Sequence, residues 1–210
     1  MNIEKTRQVL ETIPNDVTLI AVTKNQEIDD VAKLVELGVT NLGENKLQEL
    51  LKKKAIFPDV NWHFIGRIQS NKIKDIVANA TLIHSVSELR YLEKINVEAE
   101  KLGIVQDVLL QLNIAGEQTK KGLSDLEFNY INEHPQEFKH TRIRGLMTMG
   151  DHIDDQEVIK STFNQAFTVY SEIARTRDNF DTLSMGMSSD YQLAIECGSN
   201  MVRIGTLLFK

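Results

Sequence analysis

Apolar residues recur along this chain in two alternating patterns. Stretches with apolar positions three and four apart, the spacing of one helix face, give way to short continuous apolar runs, and a glycine often stands at the change. LVELGVTNLGE, AEKLGIVQDVLLQLN and AIECGSNMVRIG share this order. A glycine after a helical pattern is the expected left-handed stop. Ahead of Gly38, the residues Ile28, Val31, Ala32 and Val35 fall on one face; ahead of Gly103, Leu89, Leu92, Ile95, Ala99 and Leu102 do the same. Each helix is expected to bury that side.

Eight runs read as strands: VTLIAVT (17–23), VTNLGE (39–44), WHFIG (62–66), TLIHS (81–85), DVLLQLN (107–113), RIRGLMT (142–148), TLSMGM (182–187) and MVRIG (201–205). Most lack clean alternation, which suits strands covered on both faces, and nearly every gap between them holds one helix-length pattern. About eight βα units is the count of a single (β/α)8 barrel of the TIM type. A doubly wound open sheet is the rival, because spacing alone does not show closure. Pro14, Pro58 and Pro135 stand apart, and no linker, low-complexity tract or fixed-period repeat divides the chain. Residues 1–210 are therefore expected to form one α/β domain.

Composition narrows the function classes. With 41% hydrophobic and 26% charged residues, the 210-residue chain has the make-up of an ordinary globular protein. Its longest apolar runs fall short of the ~18–20 residues of a bilayer span, and MNIEKTRQVLETI alternates charge with apolar residues in helical fashion, so neither a membrane partner nor a secretory signal is expected. The single cysteine, Cys197, has no partner for an internal disulfide or a zinc site, which favours a cytoplasmic setting and a packing role. A net charge of −6 repels polyanions, and KKK at 52–54 and KK at 120–121 read as solvated faces. Nucleic acid is not expected as a partner.

The common nucleotide-loop, dinucleotide and zinc-protease motifs are absent, and GMSSD at 186–190 has Asp190 where a nucleophile elbow needs glycine. The five histidines are scattered with no i, i+4 pair, so no metal site is expected.

In a barrel, the C-terminal strand ends converge on one face and build the site. Here those ends supply Lys24, Gly43-Glu44-Asn45, Gly66-Arg67, His84, Asn113, Met147, Ser188 and Gly205-Thr206. Anion sites in barrels often use the loops after the seventh and eighth strands, where Ser188 and Gly205-Thr206 fall. Ser188 reads equally well as a helix N-cap and Gly205 as a plain strand-ending glycine. Arg203 lies within MVRIG, which otherwise reads as buried, so its guanidinium demands an acceptor. A lysine after the first strand is, taken singly, more often a solvated or paired charge; beside an anion rim it is placed to bond a phosphate-bearing aldehyde. Lysine attacks a carbonyl only as the free amine, a form that partial burial near other cations favours.

AVTK (21–24), NLGENKLQE (41–49), WHFIGRIQSNK (62–72), IHSVSE (83–88), LQLNIAGEQTKKG (110–122), IRGLMTM (143–149) and LSMGMSSDYQLAIECGSNMVRIGTLLF (183–209) together resemble the pyridoxal 5′-phosphate homeostasis proteins. That family is a single-domain relative of the alanine racemase N-terminal barrel. The resemblance runs in order over nearly the whole chain. It implies that Lys24 holds pyridoxal 5′-phosphate (PLP) as an internal aldimine, that Ser188 with the Gly205 and Thr206 backbone cradles the phosphate, and that Arg203 faces the pyridine nitrogen. The resemblance also places Asn45 in the GEN motif that borders the cofactor pocket, and His63 and Asn71 in the family signature HFIGRIQSNK, each a candidate to touch the ligand. From the residues alone, Asn45 reads equally as a cap, His63 as a satisfied core histidine and Asn71 as a turn residue.

Arginine at the ring nitrogen only donates, leaving that nitrogen neutral and the cofactor a weak electron sink. Racemases of this fold draw a second acid/base, typically a tyrosine, from an added domain, and this chain ends at Lys210, soon after Gly205. Tyr91, Tyr130, Tyr170 and Tyr191 fall in or beside helical patterns, leaving His84 as the one strand-end candidate for a base, and a histidine at that place reads as easily as structural. The expectation is a PLP carrier acting in cofactor homeostasis, with no catalytic residue assigned, passing PLP to apo-enzymes by transimination and working as a monomer. The alternatives are a PLP-dependent amino-acid racemase of low activity, a Schiff-base aldolase, and an interaction protein using the barrel as a scaffold.

Overall fold

The computed structural model describes residues 1–114, 122–149 and 155–210. The KK pair at 120–121 and the central part of LQLNIAGEQTKKG lie outside them. Eight parallel strands, β1 (Thr18–Val22), β2 (Asn41–Glu44), β3 (Asn61–Phe64), β4 (Leu82–Val86), β5 (Gln106–Gln111), β6 (Thr141–Met147), β7 (Thr182–Ser184) and β8 (Met201–Ile204), pair in sequence order, and β8 closes on β1. Closure through hydrogen bonds from Thr18↔Met201 to Ala21↔Ile204 rules out the open sheet. All eight expected strands form. The largest difference is at TLSMGM, where β7 stops at Ser184 because Gly186, at φ +92°, turns the chain away.

The helices between strands are α2 (Ile28–Glu36), α3 (Leu47–Lys54), α4 (Ile73–Val77), α5 (Leu89–Leu102), α6 (Asp125–Glu133), α7 (Gln156–Ala174) and α8 (Tyr191–Glu196). An N-terminal α1 (Ile3–Glu11) packs on a last short α9 (Thr206–Phe209), where Thr6 Oγ1 donates to the Leu208 carbonyl at 2.7 Å. The three expected glycine stops hold, with Gly38, Gly103 and Gly198 at φ +87°, +66° and +93°. Two helix faces differ from expectation in detail. On α2 the fully buried residues are Val31 and Leu34, with Ala32 and Val35 only half-buried. On α5, Leu92, Ile95 and Ala99 are buried together with Tyr91, while Leu102, one residue before the left-handed turn, lies exposed.

Most of the core lies between barrel and helices, from Ala21, Leu42 and Ile83 outward to Leu34, Leu92 and Phe163. A second apolar cluster, Ile20, Leu82, Leu109, Met147 and Met201, fills the barrel itself. Strand register explains its neighbours. Ile20 pairs with Arg203, Met201 with Ser184, Ser184 with Met147, and Leu82 with His63, so these side chains share the inner face. The barrel interior therefore carries Arg203, Ser184, His63 and His84 beside its apolar plug. At the N-terminal strand ends, Arg142 and Arg144 both pair with Asp107, and Arg144 also with Asp181, tying β5 to β6 and to the start of β7.

The KKK at 52–54 is not a solvated face. Lys53 continues the i, i+3 stripe of Leu47 and Leu50 on α3 and is 1% exposed. Its Nζ lies 2.6 Å from Glu44 Oε1 and 2.6 Å from the Thr23 carbonyl. Lys54 Nζ donates to the Asn79 carbonyl at 2.8 Å, leaving only Lys52 fully in solvent.

Candidate functional site

A cavity of about 1370 Å³ opens at the C-terminal ends of the strands. Of the sequence-derived candidates, Lys24, Asn45, Ser188, Arg203, Gly205 and Thr206 all line it. It is also lined by Lys46, Arg67 and Lys72, and no Asp or Glu is among the described lining residues. In a chain of net charge −6, that is a local concentration of uncompensated cations facing one space.

Lys24 follows β1 in a tight turn. The Thr23 carbonyl accepts from Gln26 N at 3.1 Å as well as from Lys53 Nζ, and the Thr23 N–H donates to the Gly43 carbonyl at 3.0 Å. Asn25 takes φ +60°, a left-handed conformation that asparagine tolerates. The backbone on both sides of Lys24 is thus pinned, while its side chain is exposed to the cavity. Asn45 is placed by close approach of the next loop. A Cβ at Gly66 would sit 2.0 Å from the Asn45 carbonyl oxygen, so only glycine fits there.

Ser188 is not a helix N-cap. Asp190 occupies that position before α8, its Oδ1 accepting from Met187 N at 2.6 Å. Ser188 Oγ instead accepts from Gly205 N at 3.2 Å and Leu207 N at 3.5 Å, across the gap to β8. These backbone donors converge where an anionic oxygen would be held.

Arg203 is 5% exposed. Its Nη1 donates to Ser184 Oγ at 2.7 Å and to the Ser184 carbonyl at 2.9 Å, and Nη2 to the Thr148 carbonyl at 2.9 Å. Burial lowers its pKa to about 10, with the Asp190 charge working in the opposite direction, so it stays cationic at neutral pH.

His63 and His84 do not line the cavity. His63 is a satisfied core histidine: Nδ1 lies 2.9 Å from His84 Nε2, and Nε2 lies 3.3 Å from Asn41 Oδ1. It sits at the third position of β3 pointing inward, below the mouth, which is why the motif's spacing did not place it. His84 is likewise mid-strand in β4 and fully buried, so it is not a strand-end base. Asn71 lies exposed in a short 3-10 turn (Ser70–Lys72) and does not line the cavity, although Gln69 and Lys72 on either side do. The sequence reading missed Lys53. Its signal was the unbroken three-residue spacing Leu47, Leu50, Lys53.

Burial depresses the His63 pKa to about 4. It also depresses that of His84 well below the usual value, and the charges of His63 and Arg203 reinforce the effect. The unfolded chain protonates histidine near ~6.5, so below that pH it binds protons that the folded state refuses. The His63 contribution to stability is complete above ~6.5 and is lost as pH falls toward 4, and His84 acts in the same direction. For His63 alone the loss between pH 7 and 5 is about 2 kcal/mol. Urea midpoints at the two pH values measure it, and the difference should shrink in His63→Gln. Equal differences in parent and variant would show that the imidazole is protonated in the folded state.

The closed barrel of eight parallel strands with alternating helices is matched over residues 1–210 by the family model of the alanine racemase N-terminal domain. Within that class, the chain belongs to the pyridoxal phosphate homeostasis protein family. It is 36% identical over 198 residues to the pyridoxal phosphate homeostasis protein of Aquifex aeolicus, spanning 93% of this chain and 87% of that one. PipY of Synechococcus elongatus PCC7942 superposes with a TM-score of 0.93 without PLP, at 30% identity and 100% coverage of both chains. The same protein solved with PLP bound gives 0.91 at 30% identity and 99% coverage of both.

Proposed function

We propose that residues 1–210 act as one PLP-binding unit that captures the cofactor on Lys24 as a covalent aldimine and buffers or delivers it within the cell. One observation carries this reading: Lys24 from β1, Ser188 after β7, and Arg203, Gly205 and Thr206 on and after β8 open onto a single cavity. The residues fit the group. The Gly205 and Leu207 N–H donors around Ser188 suit a phosphate, and the cation-rich wall lacks carboxylates that would repel one. Three of the five Arg203 N–H groups are used inside the barrel. Nε–H and one Nη2–H remain for the pyridine nitrogen. PLP supplies an aldehyde for reversible capture, and a donor at its ring nitrogen leaves it a poor electron sink.

A carrier rather than an enzyme is favoured by the cavity wall, which contains no tyrosine or histidine among the described lining residues. The four tyrosines lie in α5, α6, α7 and α8. Release would proceed when the amine of an incoming molecule takes the cofactor carbon and Lys24 departs as the free amine, a step needing no second base held by the protein. Recipients are PLP-dependent apo-enzymes. A monomeric, cytoplasmic protein accords with this role; the one cysteine, Cys197, is buried.

Borohydride reduction of PLP-loaded protein followed by peptide mass mapping tests the assignment. The pyridoxyl adduct is expected on Lys24. An adduct on Lys46 or Lys72, which line the same cavity, or on no lysine, overturns it. For the racemase alternative, single-enantiomer amino acids incubated with loaded protein in deuterated water should show no sustained Cα exchange; turnover would replace the carrier reading.

A further inference from the structure

The barrel interior holds two buried histidines that no step above uses, and they connect to Arg203. Only one direction gives every buried proton of the connection an acceptor. Arginine has donors and no acceptor, so at the 2.7 Å contact with Arg203 Nη1, Ser184 Oγ must accept. Among the described residues the other hydrogen-bond partner of Ser184 Oγ is His84 Nδ1, 3.3 Å away, and it takes the hydroxyl proton that would otherwise stay buried without an acceptor. His84 Nδ1 accepts, which puts the His84 proton on Nε2, aimed at His63 Nδ1 at 2.9 Å. His63 Nδ1 accepts in turn, so its proton also sits on Nε2, toward Asn41 Oδ1 at 3.3 Å. Asn41 Oδ1 accepts as well from Asn61 Nδ2 at 3.0 Å, which sets the orientation of that amide.

We infer that Arg203, Ser184, His84, His63 and Asn41 form a one-directional hydrogen-bond chain across the barrel from β8 to β2, in which His84 is the positioning residue that holds the Arg203 guanidinium against the cavity. The charge pattern agrees: burial and the neighbouring Arg203 both disfavour a charged His84, leaving one fixed cation in this chain. Proton conduction is not its role, because the chain starts at a guanidinium that keeps its protons. It orients. With the Ser184 proton committed to His84, both oxygens of Ser184 are turned to Arg203 Nη1, and Nε–H with the remaining Nη2–H is left to face the mouth. The placement of those two donors toward a pyridine nitrogen rests on the proposed function; the direction of the chain does not.

Nitrogen-15 NMR of histidine-labelled protein without added PLP reads that direction. Both imidazoles are expected as neutral Nε2–H tautomers at pH 7, and an Nδ1–H tautomer or a charged ring at either residue overturns the chain. The positioning claim is read on loaded protein from PLP affinity and the visible absorption maximum. His84→Leu removes the acceptor for Ser184; it is expected to weaken PLP binding about tenfold and to shift the maximum. His84→Asn places an amide oxygen near the former Nδ1 and is expected to restore most of both. Equal losses in the two variants, or no loss in either, overturn the role of His84. A parent protein that binds no PLP would instead defeat the proposed function, with the tautomers still decided by NMR.

Discussion

Lys53→Met is expected to destabilise the barrel by about 3–5 kcal/mol, the usual cost of leaving a buried ion without its partner. At roughly 2–4 °C per kcal/mol for a chain of this size, the melting temperature should fall by about 6–20 °C. Side-chain exposures of 1% for Lys53 and 0% for Glu44 set the scale, because water cannot replace the lost ammonium. Glu44 Oε1 would keep only the 2.7 Å hydrogen bond from Thr23 Oγ1, and Glu44 Oε2 already has no partner. The Thr23 carbonyl would lose one of its two donors, and Thr23 precedes Lys24, so PLP capture should weaken along with stability. Scanning calorimetry measures the first effect. Adding Glu44→Gln to Lys53→Met removes the lone charge and should recover part of the loss. A single-variant loss below about 1 kcal/mol would mean that the pair is solvated after all.

Lys24→Ala is expected to do the opposite: abolish PLP capture and leave the fold intact. The Lys24 side chain is exposed and makes no contact that holds the barrel together, so its removal should change stability by no more than about 0.5 kcal/mol. The turn itself survives, since its hydrogen bonds come from Thr23, Gln26 and Lys53. Visible absorption after PLP addition, with mass spectrometry of the borohydride-reduced protein, is the measurement. A full-strength absorption band with an unchanged adduct mass would show that another amine does the work. Global unfolding would mean that the lysine is structural.

The fold is largely legible in the sequence. Glycine stops at Gly38, Gly103 and Gly198 separate the two periodicities at three of the turns from helix to strand, and each expected strand is present. So is the cavity wall, because in a parallel barrel every strand end faces the same way and Lys24, Asn45, Ser188 and Gly205 are all strand-end residues. For His63 and His84 the sequence leaves a core role and a site role equally open, because a one-dimensional motif does not say how far below the rim a side chain sits. The KKK run was misread for a related reason: three consecutive lysines point in three directions on a helix, and only the middle one follows Leu47 and Leu50 inward.

Local sequence fixes the order of elements and sets Lys24, Ser188 and Gly205 at strand ends, since both depend on periodicity, glycine conformation and the rule that parallel strands end together. Closure of the sheet, the reach of Lys53 to Glu44, and the run from Arg203 through Ser184 and His84 to His63 come from tertiary packing alone. Those contacts join residues from separate strands and helices. Which polar groups meet inside the barrel depends on strand register and on the low dielectric that forces each buried donor to find an acceptor, and neither is written in the spacing of residues along one segment.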